Sequence, residues 1–465
     1  MTRAVVVGAG SAGSVVARRL VDAGLDVVLV EDGPDDIESA PGLASPSFFE
    51  ALAEPGRTWP DLMARRVDGQ DERVYARGRG VGGSSSVNAM LGLWGEIDDY
   101  DRWERDHGCQ GWSWNEVRPV FMRMPIPLRT PRESEVGPIG RAVAEIGRTA
   151  GWVEHIGPGA LGPLGRDVGR CRLTQKPDGR RASAFEVYVE PVRNRPNLRV
   201  VTDRRVERVL FSGDRAVGIG LSDGTTLDAD VVVVTAGAIE SPRLLLRSSI
   251  DNPRIGSGLQ DHASATFTVA RHDSADPSSL AVGVLGRFSS GLAPADLQIL
   301  PIDHLGRDAT ALGVVNVALM NVHSRGRVDA SSIEFGMLDD ERDLEALVRG
   351  AREVRRWFDV GPLAAVAAAV YVDDRGTSVH DVGDDDDSMR SWVRATTGDY
   401  VHACGTCAMG PRAESVVDSF GRSWDRRNLW IADASVMPRI PRANTHLPTV
   451  MVAERISAFL VDSIA

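Results

Sequence analysis

Two histidines in the last fifth of the chain are of a residue type that can transfer protons. His402 lies in the segment HACGTCAMG, and His446 lies in NTHLPT at the start of a predicted helix. A neutral imidazole accepts a proton near pH 7 because its unperturbed pKa is about 6.5. An isolated histidine is more often a core or surface residue, so a catalytic assignment depends on the elements that position this pair.

Cys404 and Cys407, in the first of these segments, form a C-x-x-C pair, which suggests a redox disulfide or a zinc site. Tetrahedral zinc needs four ligands, and this is the only such pair in the sequence. We therefore expect no metal site and favour a structural role for both cysteines, with a redox disulfide as the less favoured alternative. The four cysteines are too few for a disulfide framework in a chain of 465 residues.

The N-terminal residues predict a nucleotide-binding βαβ unit, with an apolar strand over 3–8, a helix over 11–23 and a second strand over 26–31. The turn between the first strand and the helix matches G-x-G-x-x-G in the context that this motif requires. Its glycines permit a tight turn, close approach of the backbone to a pyrophosphate, and packing of the helix on the strand. They are Gly8, Gly10 and Gly13.

Three other residues of this unit extend the prediction. Ser11 and Ala12 open the helix, whose N-terminal N–H groups and dipole favour a phosphate. Glu31 ends the second strand, where an acid can accept the ribose hydroxyls, and its charge argues against the 2′-phosphate of NADP. The motif itself does not distinguish FAD from NAD.

The rest of the chain alternates between helical and strand patterns. Strands are predicted over 198–202, 206–211, 216–222 and 231–235, as a β-meander that returns to the main sheet, and over 265–270 and 314–321. Helices are predicted over 139–150, 344–358 and 387–396, and the acidic run 384–387 is predicted to be a solvated cap of the last of these. Residues 34–72 are predicted to form a loop-like excursion.

Four segments resemble the glucose-methanol-choline (GMC) family of flavoprotein oxidoreductases. Residues 77–90 (RGRGVGGSSSVNAM) resemble the first signature of that family, and residues 235–250 (TAGAIESPRLLLRSSI) resemble the second. Residues 255–262 (IGSGLQDH) and 429–438 (LWIADASVMP) look like two further family segments, although Gly258 stands where the family has asparagine. The segments occur in family order and extend over the chain from end to end.

The resemblance implies one FAD per chain. Some relatives carry a histidine bonded to the flavin where this chain has Val87, so we expect FAD to be bound non-covalently. The residues that the βαβ motif and the resemblance together place at FAD are Gly8, Gly10, Ser11, Ala12, Gly13, Glu31, Val81, Gly82, Gly83, Asn88, Val206, Ala236, Asp433, Ala434 and Thr449.

The resemblance also implies oxidation of an alcohol to a carbonyl, by hydride transfer to flavin N5. His402 and His446 match the paired active-site positions of the family, of which the second is histidine or asparagine. We expect His402 to be the base and His446 to bind the substrate oxygen, with the opposite assignment open. The helix predicted to start at Pro448 would direct N–H groups at the reduced flavin. His262 is expected to be structural.

The expected fold class is α/β, or α+β overall. A Rossmann-like FAD-binding domain with a parallel sheet and a β-meander would comprise 1–120, 166–262 and 405–465. An intertwined substrate-binding domain with an antiparallel sheet would comprise 121–165 and 263–404. The substrate pocket is expected between them. Its predicted lining is Trp94, Trp392 and parts of 280–330.

Composition and charge exclude other classes of function. The net charge of -12 makes a nucleic acid an unsuitable partner. Lys176, the only lysine, lies in a Pro-Asp-Gly turn, which argues against Schiff-base chemistry. No secretory signal or membrane-spanning run is evident, so we expect a cytoplasmic protein, with peripheral attachment to a membrane open.

Several alternatives stay open at this stage. The electron acceptor is either oxygen or a redox carrier. The terminal block 441–455 resembles the branch of the family associated with mycofactocin, whose reduced form would then be the substrate. A lyase that cleaves cyanohydrins without net redox change uses the same fold, and a non-catalytic flavin-binding protein is the remaining class.

Overall fold

The computed structural model describes residues 2–154 and 165–464. Residues 155–164, in a segment predicted to belong to the substrate-binding domain, lie outside the described residues. The structure combines a parallel sheet, an antiparallel sheet and helices, so the predicted fold class is confirmed.

Helices and strands alternate along most of the chain. The helices are α1 (Ser11–Asp22), α2 (Phe48–Ala53), α3 (Ile97–His107), α4 (Trp114–Arg123), α5 (Pro138–Thr149), α6 (Ala184–Tyr188), α7 (Gly237–Arg247), α8 (Glu341–Arg355), α9 (Pro362–Val366), α10 (Asp386–Thr396) and α11 (His446–Ile464). Short 3-10 helices are Ile37–Ser39, Pro41–Ala44, Gly83–Ser86, Glu133–Glu135, Glu190–Val192, Arg307–Ala309, Arg356–Phe358 and Ala434–Val436. The strands are β1 (Arg3–Val7), β2 (Asp26–Val30), β3 (Met63–Ala64), β4 (Arg73–Val74), β5 (Asp167–Arg170), β6 (Leu198–Val201), β7 (Val206–Ser212), β8 (Arg215–Leu221), β9 (Thr226–Asp228), β10 (Val231–Val234), β11 (Ser257–Leu259), β12 (Ser264–Arg271), β13 (Val284–Phe288), β14 (Leu297–Ile302), β15 (Leu312–Leu319), β16 (Gly326–Val328), β17 (Ile333–Glu334), β18 (Ala367–Tyr371) and β19 (Leu429–Ile431).

The parallel sheet has the strand order β19-β10-β1-β2-β6. Its central strands are continuous valine-rich runs that are buried almost throughout, as expected of a parallel sheet covered on both faces. The predicted meander is partly wrong, because β6 pairs in parallel with β2 and belongs to this sheet. The meander itself is β7-β8-β9, in which the short β9 was not predicted.

The antiparallel sheet has the strand order β18-β12-β15-β14-β13-β5. Helices α5 and α8 pack against it. The predicted strands at 265–270 and 314–321 correspond to its central strands β12 and β15.

Helix ends differ from the predictions by a few residues, because caps decide where each helix begins. Asp340 caps α8 by accepting from the N–H of Arg342. Asp385 caps α10 by accepting from the N–H of Ser388, which confirms the predicted cap in the acidic run. The C-terminal helix starts at His446, two residues before the predicted Pro448. The excursion 34–72 contains α2 and β3 as well as loops. Within residues 2–154 and 165–464, no helix is both long and apolar enough to cross a membrane.

Helices α1 and α11 are held together by a partly buried ion pair. Arg19 donates from Nε and Nη2 to the carboxylate of Glu454, at 2.6 and 2.7 Å. The hydroxyl of Tyr188 donates to the same carboxylate at 2.8 Å. This contact joins α11, which begins at His446, to α1, which follows the glycine-rich turn.

Two glycine variants should separate folding from cofactor binding. A Cβ at Gly13 would lie 1.7 Å from the carbonyl oxygen of Gly8, whereas a Cβ at Gly10 would meet only the Cα of Gly83, at 3.9 Å. We expect Gly13→Ala to lower the free energy of unfolding by about 3 kcal/mol or more. Gly10→Ala should keep the stability of the cofactor-free protein and weaken FAD binding. Thermal unfolding and FAD titration measure the two effects, and equal stability losses would contradict the prediction.

Candidate active site

One continuous cavity of about 460 Å³ extends from the parallel sheet to the antiparallel sheet. Its first end lies at the carboxyl ends of β1, β2 and β10, where Val7, Val30 and Thr235 line it. This is the edge at which open α/β sheets bind their ligands. The other end contains His402 and His446.

Glu31 holds the loops at the first end of the cavity. Its Oε2 accepts from the N–H of Ala9 at 2.8 Å, and its Oε1 accepts from the N–H groups of Gly33 and Gly80, each at 3.0 Å. Burial raises the pKa of this carboxyl, and the three N–H groups partly oppose that rise. Oε2 keeps a free lone pair for a ribose hydroxyl, so the predicted role is compatible with this clamp.

The adenosine end has an aromatic residue that sequence reasoning missed. Val206 begins β7 and lines the cavity, as predicted. Trp59 also lines it, with the guanidinium groups of Arg79 and Arg205 at 5.8 and 5.6 Å from its ring. An indole flanked by cations offers a stacking surface next to the position predicted for adenine.

Asp433 organises the middle of the cavity. Its Oδ2 accepts from the N–H of Gly237 at 2.8 Å and from the hydroxyl of Ser241 at 2.6 Å. Its Oδ1 accepts from the N–H of Ser435 at 2.8 Å. The carboxylate therefore joins the start of α7 to the segment after β19.

Most residues predicted at FAD line this cavity. They are Gly8, Gly10, Ser11, Ala12, Glu31, Gly83, Asn88, Val206, Ala236, Asp433, Ala434 and Thr449. Gly13, Val81 and Gly82 do not line it. Gly13 packs against the carbonyl of Gly8, Val81 is fully buried, and the N–H of Gly82 donates to Ala9.

His402 is held by hydrogen bonds at both ring nitrogens. Its Nδ1 lies 2.9 Å from Nδ1 of His262, and its Nε2 lies 3.3 Å from Nδ2 of Asn444. The amide oxygen of Asn444 accepts from Gln298 at 3.4 Å, so its NH₂ group faces His402. Nε2 of His402 is therefore the lone-pair nitrogen, and Nδ1 carries the proton.

A buried carboxylate fixes the backbone of this histidine pair. Oδ1 of Asp261 accepts from the N–H groups of His262 and His402, at 2.7 and 2.9 Å. Oδ2 accepts from the hydroxyl of Tyr75 at 2.7 Å, and that hydroxyl accepts from the N–H of Ala403 at 2.9 Å. Burial, with Asp399 nearby, raises the pKa of Asp261. His262 was expected to be structural, and no signal in the sequence indicated its contact with His402.

Both predicted catalytic histidines are neutral near pH 7. Burial, with His262 and Arg77 nearby, lowers the pKa of His402 well below 6.5. Burial and the charge of Arg181 lower the pKa of His446 to about 4. Nδ1 of His446 lies 3.3 Å from the hydroxyl of Ser11, and its Nε2 is shielded with no partner in the described ranges.

Two groups of side chains near His402 are of types that can bind a metal or form a disulfide. Asp261, His262 and His402 bring possible metal ligands within 4.8 Å of one another. However, the two histidines are joined by a hydrogen bond, and three donors already occupy the carboxylate oxygens. Cys404 and Cys407 are buried free thiols, and burial raises the pKa of each.

The predicted aromatic lining of the substrate pocket is wrong. Trp94 stacks on Phe121 at a centroid distance of 5.3 Å and does not reach the cavity. Trp392 is buried below the antiparallel sheet and donates to the carbonyl of Val372. Segment 280–330 does contribute, through Leu300, Ile302 and Asn316.

Arg181 is a buried cation that sequence reasoning missed. Its side chain is 1% exposed, and its Nη1 donates to the carbonyl and amide oxygens of Asn88, at 2.5 and 2.8 Å. Its Nε and Nη2 have no hydrogen-bond partner in the part of the chain that the structure describes. Burial lowers its pKa to about 9. The guanidinium thus fixes a cavity residue and places positive charge near His446.

Two family models match the chain. Residues 2–264 and 321–453 match the GMC oxidoreductase family. The chain therefore belongs to the GMC oxidoreductases, which bind FAD and act on alcohols, and the resemblance seen in its sequence is confirmed.

Named relatives extend over nearly the whole chain. The chain is 30% identical to 5-(hydroxymethyl)furfural oxidase of Methylovorus sp. (strain MP688), over 97% of both chains. It is 27% identical to an alcohol dehydrogenase [acceptor] of Pseudomonas putida, over 99% of this chain and 96% of the relative. The crystal structure of pyridoxine 4-oxidase from Mesorbium loti superposes with a TM-score of 0.86 at 26% identity, over 98% of this chain and 99% of that one.

Replacing Arg181 should loosen the cofactor loop. Arg181→Met removes the donor to the carbonyl oxygen of Asn88 and leaves its amide oxygen with the N–H of Met90, at a cost of about 1.5–3 kcal/mol. We expect lower FAD retention on gel filtration and a lower thermal unfolding midpoint. The matched control is Arg180→Met, because Arg180 is exposed and, among the described residues, forms its ion pair with the neighbouring Asp178. Equal FAD retention in the two variants would refute the role assigned to Arg181.

Proposed function

We propose that this protein oxidises an alcohol to a carbonyl with non-covalently bound FAD, and that His402 is the base. The observation that carries the proposal is the lone pair of Nε2 of His402, held by Asn444 at the end of a cavity that begins at a dinucleotide motif. A neutral, positioned imidazole is the group that removal of a hydroxyl proton requires.

The chain's own residues fit FAD at this cavity. Glycines permit close approach at the phosphate end, and Trp59 offers a surface for a base at the adenosine end. Val87 lines the cavity at the position of the covalent histidine in some relatives, and valine cannot bond to the flavin. These features support non-covalent FAD.

His402 and Asn444 would have different roles at the substrate hydroxyl. FAD, when bound, supplies the two-electron oxidation at the carbinol carbon. Nε2 of His402 would accept the hydroxyl proton, and the NH₂ group of Asn444 would hold the oxygen in line. The proton on Nδ1 of His402 is held by His262, which keeps the base in its reactive tautomer.

His446 is the less suitable base in this arrangement. Its Nδ1 is shared with Ser11 and its Nε2 is shielded from solvent, whereas Nε2 of His402 is oriented by Asn444, a second group that can bind the substrate oxygen. We propose that His446 and the first turn of α11, which includes Thr449, instead contribute polar groups beside the flavin. The N-terminal N–H groups of α11 would favour the negative charge of the reduced ring.

The other assignments are proposals as well. The electron acceptor is oxygen or a redox carrier, and the mycofactocin branch remains an alternative that no described feature of the cavity favours. A cyanohydrin lyase would use the same histidines without reducing the flavin. The division into 1–120, 166–262 and 405–465 against 121–165 and 263–404 is retained, except that the pairing of β5 with β13 favours moving that strand to the second group.

Anaerobic addition of a primary alcohol to the FAD-loaded protein should bleach the flavin, and admission of air then separates an oxidase from a dehydrogenase. His402→Ala should slow bleaching by about 10²- to 10⁴-fold, the usual contribution of a general base. The matched control is His323→Ala, because His323 lies outside the cavity. Denaturation followed by filtration should release the FAD.

Two results would contradict this proposal. Retention of FAD on the denatured chain would exclude non-covalent binding. A flavin that cleaves a cyanohydrin but is bleached by no alcohol would favour the lyase.

The dependence of kcat/KM on pH should lack a histidine limb near 6.5. The pKa of His402 is lowered, so this base stays neutral and active as the pH falls from 8 to about 5.5. An unperturbed imidazole would instead lose about tenfold in rate for each pH unit below 6.5. Steady-state rates across this range measure the profile. Because the pKa of the neighbouring Asp261 is raised, Asp261→Asn removes this acid as a source of a fall in rate. A one-proton fall in kcat/KM that is centred near pH 6.5 and persists in this variant would count against His402 as the base.

A further inference from the structure

One wall of the cavity, formed by strands of the antiparallel sheet and by α2, is apolar with one amide in it. Strands β14 and β15 contribute Leu300, Ile302 and Asn316, and α2 contributes Phe48 and Leu52. We call these five residues the distal wall. Asn316 is its only polar member, so it is the group that can recognise a polar atom of a substrate there.

A hydrogen bond orients the amide of Asn316. Residues Thr266 and Asn316 are paired across β12 and β15, and the Thr266 hydroxyl donates to Oδ1 of Asn316 at 2.7 Å. Nδ2 is neither shielded nor hydrogen-bonded within the described parts of the chain. With its oxygen occupied, the amide presents a donor to the cavity.

The position of Asn316 sets its distance from the reacting hydroxyl. Leu300 pairs with Asn316, and Gln298 lies two residues before Leu300 on the same face of β14. Two residues along a strand and one strand across separate Cα atoms by about 8 Å. Gln298 donates to Asn444, which holds His402. A ligand of about one ring is therefore long enough to reach from the neighbourhood of Gln298 and Asn444 to Asn316.

Charge at this end of the cavity is already compensated. Asp399 lines the cavity, but Arg66 pairs with it at 2.5 Å. The other acidic lining residues in the described chain are also partnered: Glu31 and Asp433 bind backbone N–H groups, Asp32 pairs with Arg79, and Glu240 pairs with Arg205. A quaternary ammonium group would therefore be buried against the distal wall without a free carboxylate, which is costly.

We propose that the substrate is a neutral alcohol on a ring that carries a hydrogen-bond acceptor across from the carbinol, and that Asn316 selects it by donating to this acceptor. The inference rests on the proposed alcohol oxidation. Thr266 is a positioning residue, because it acts by fixing the amide of Asn316.

The test compares 4-pyridinemethanol with benzyl alcohol, which has a C–H group in place of the ring nitrogen. Asn316→Leu should lower kcat/KM for anaerobic flavin reduction by about 3- to 10-fold more with 4-pyridinemethanol than with benzyl alcohol, the loss expected for one neutral hydrogen bond. For each alcohol, the rate with the variant is divided by the rate with the wild-type protein. This ratio removes the intrinsic difference in reactivity between the two alcohols. The flavin spectrum can also be used to measure binding of the two aldehyde products. Asn316→Leu should weaken binding of the pyridine aldehyde more than binding of benzaldehyde.

Thr266→Val should have a smaller effect in the same direction, and it keeps the test available if leucine at 316 prevents folding. The matched control is Thr268→Val, on the same face of β12 but without a bond to the amide. Asn316→Asp should weaken the reaction with 4-pyridinemethanol, because a carboxylate cannot donate to the ring nitrogen, and it should improve the reaction with the cationic alcohol choline. Equal effects of Asn316→Leu on both alcohols, with flavin reduction intact, would overturn the role of Asn316 alone. Absence of flavin reduction by every alcohol in the wild-type protein would overturn the proposed function and this inference with it.

Discussion

The carboxylate of Glu31 is the interaction on which the cofactor end of this protein depends. It joins the turn after β1, the loop after β2 and the glycine-rich segment at Gly80 through three backbone N–H groups. These contacts bring Gly83 so close to Gly10 that a Cβ on Gly83 would lie 2.9 Å from the Cα of Gly10. A buried carboxylate without these donors would be costly, so the three loops and the acid stabilise one another.

Two other carboxylates along the cavity also accept hydrogen bonds from backbone N–H groups of different segments. Asp433 joins α7 to the segment after β19, and Asp261 joins its own segment to that of His402. In each case an acid far away in sequence satisfies backbone N–H groups of a loop that bears a functional residue. Preorganisation of the site therefore comes largely from carboxylates that bind the backbone, while the groups proposed to act on the substrate are neutral imidazoles and amides.

Much of the fold could be predicted because its signals are local. The valine-rich strands and the glycine turn of the βαβ unit each lie within a few residues, and the family segments identified FAD. β6 was misassigned because it is partly exposed at the edge of its sheet and so resembles a strand of the meander. Trp94 and Trp392 were placed at the pocket by residue type, but type does not determine which face a side chain joins. The contact of His262 with His402 joins positions 140 residues apart, and no local pattern encodes it.

The strand order also bears on how a nascent chain reaches this structure. β1 emerges from the ribosome early, yet its neighbour β10 begins at Val231 and the outer β19 begins at Leu429. Arg19 likewise meets its partner only when Glu454 has been made. Until then the valine-rich edge of β1 lacks its partner strand and is open to association with other chains. Translation therefore produces the nucleotide motif well before the strands and helix that cover it, and a chaperone bound during synthesis would shield this edge in the interval.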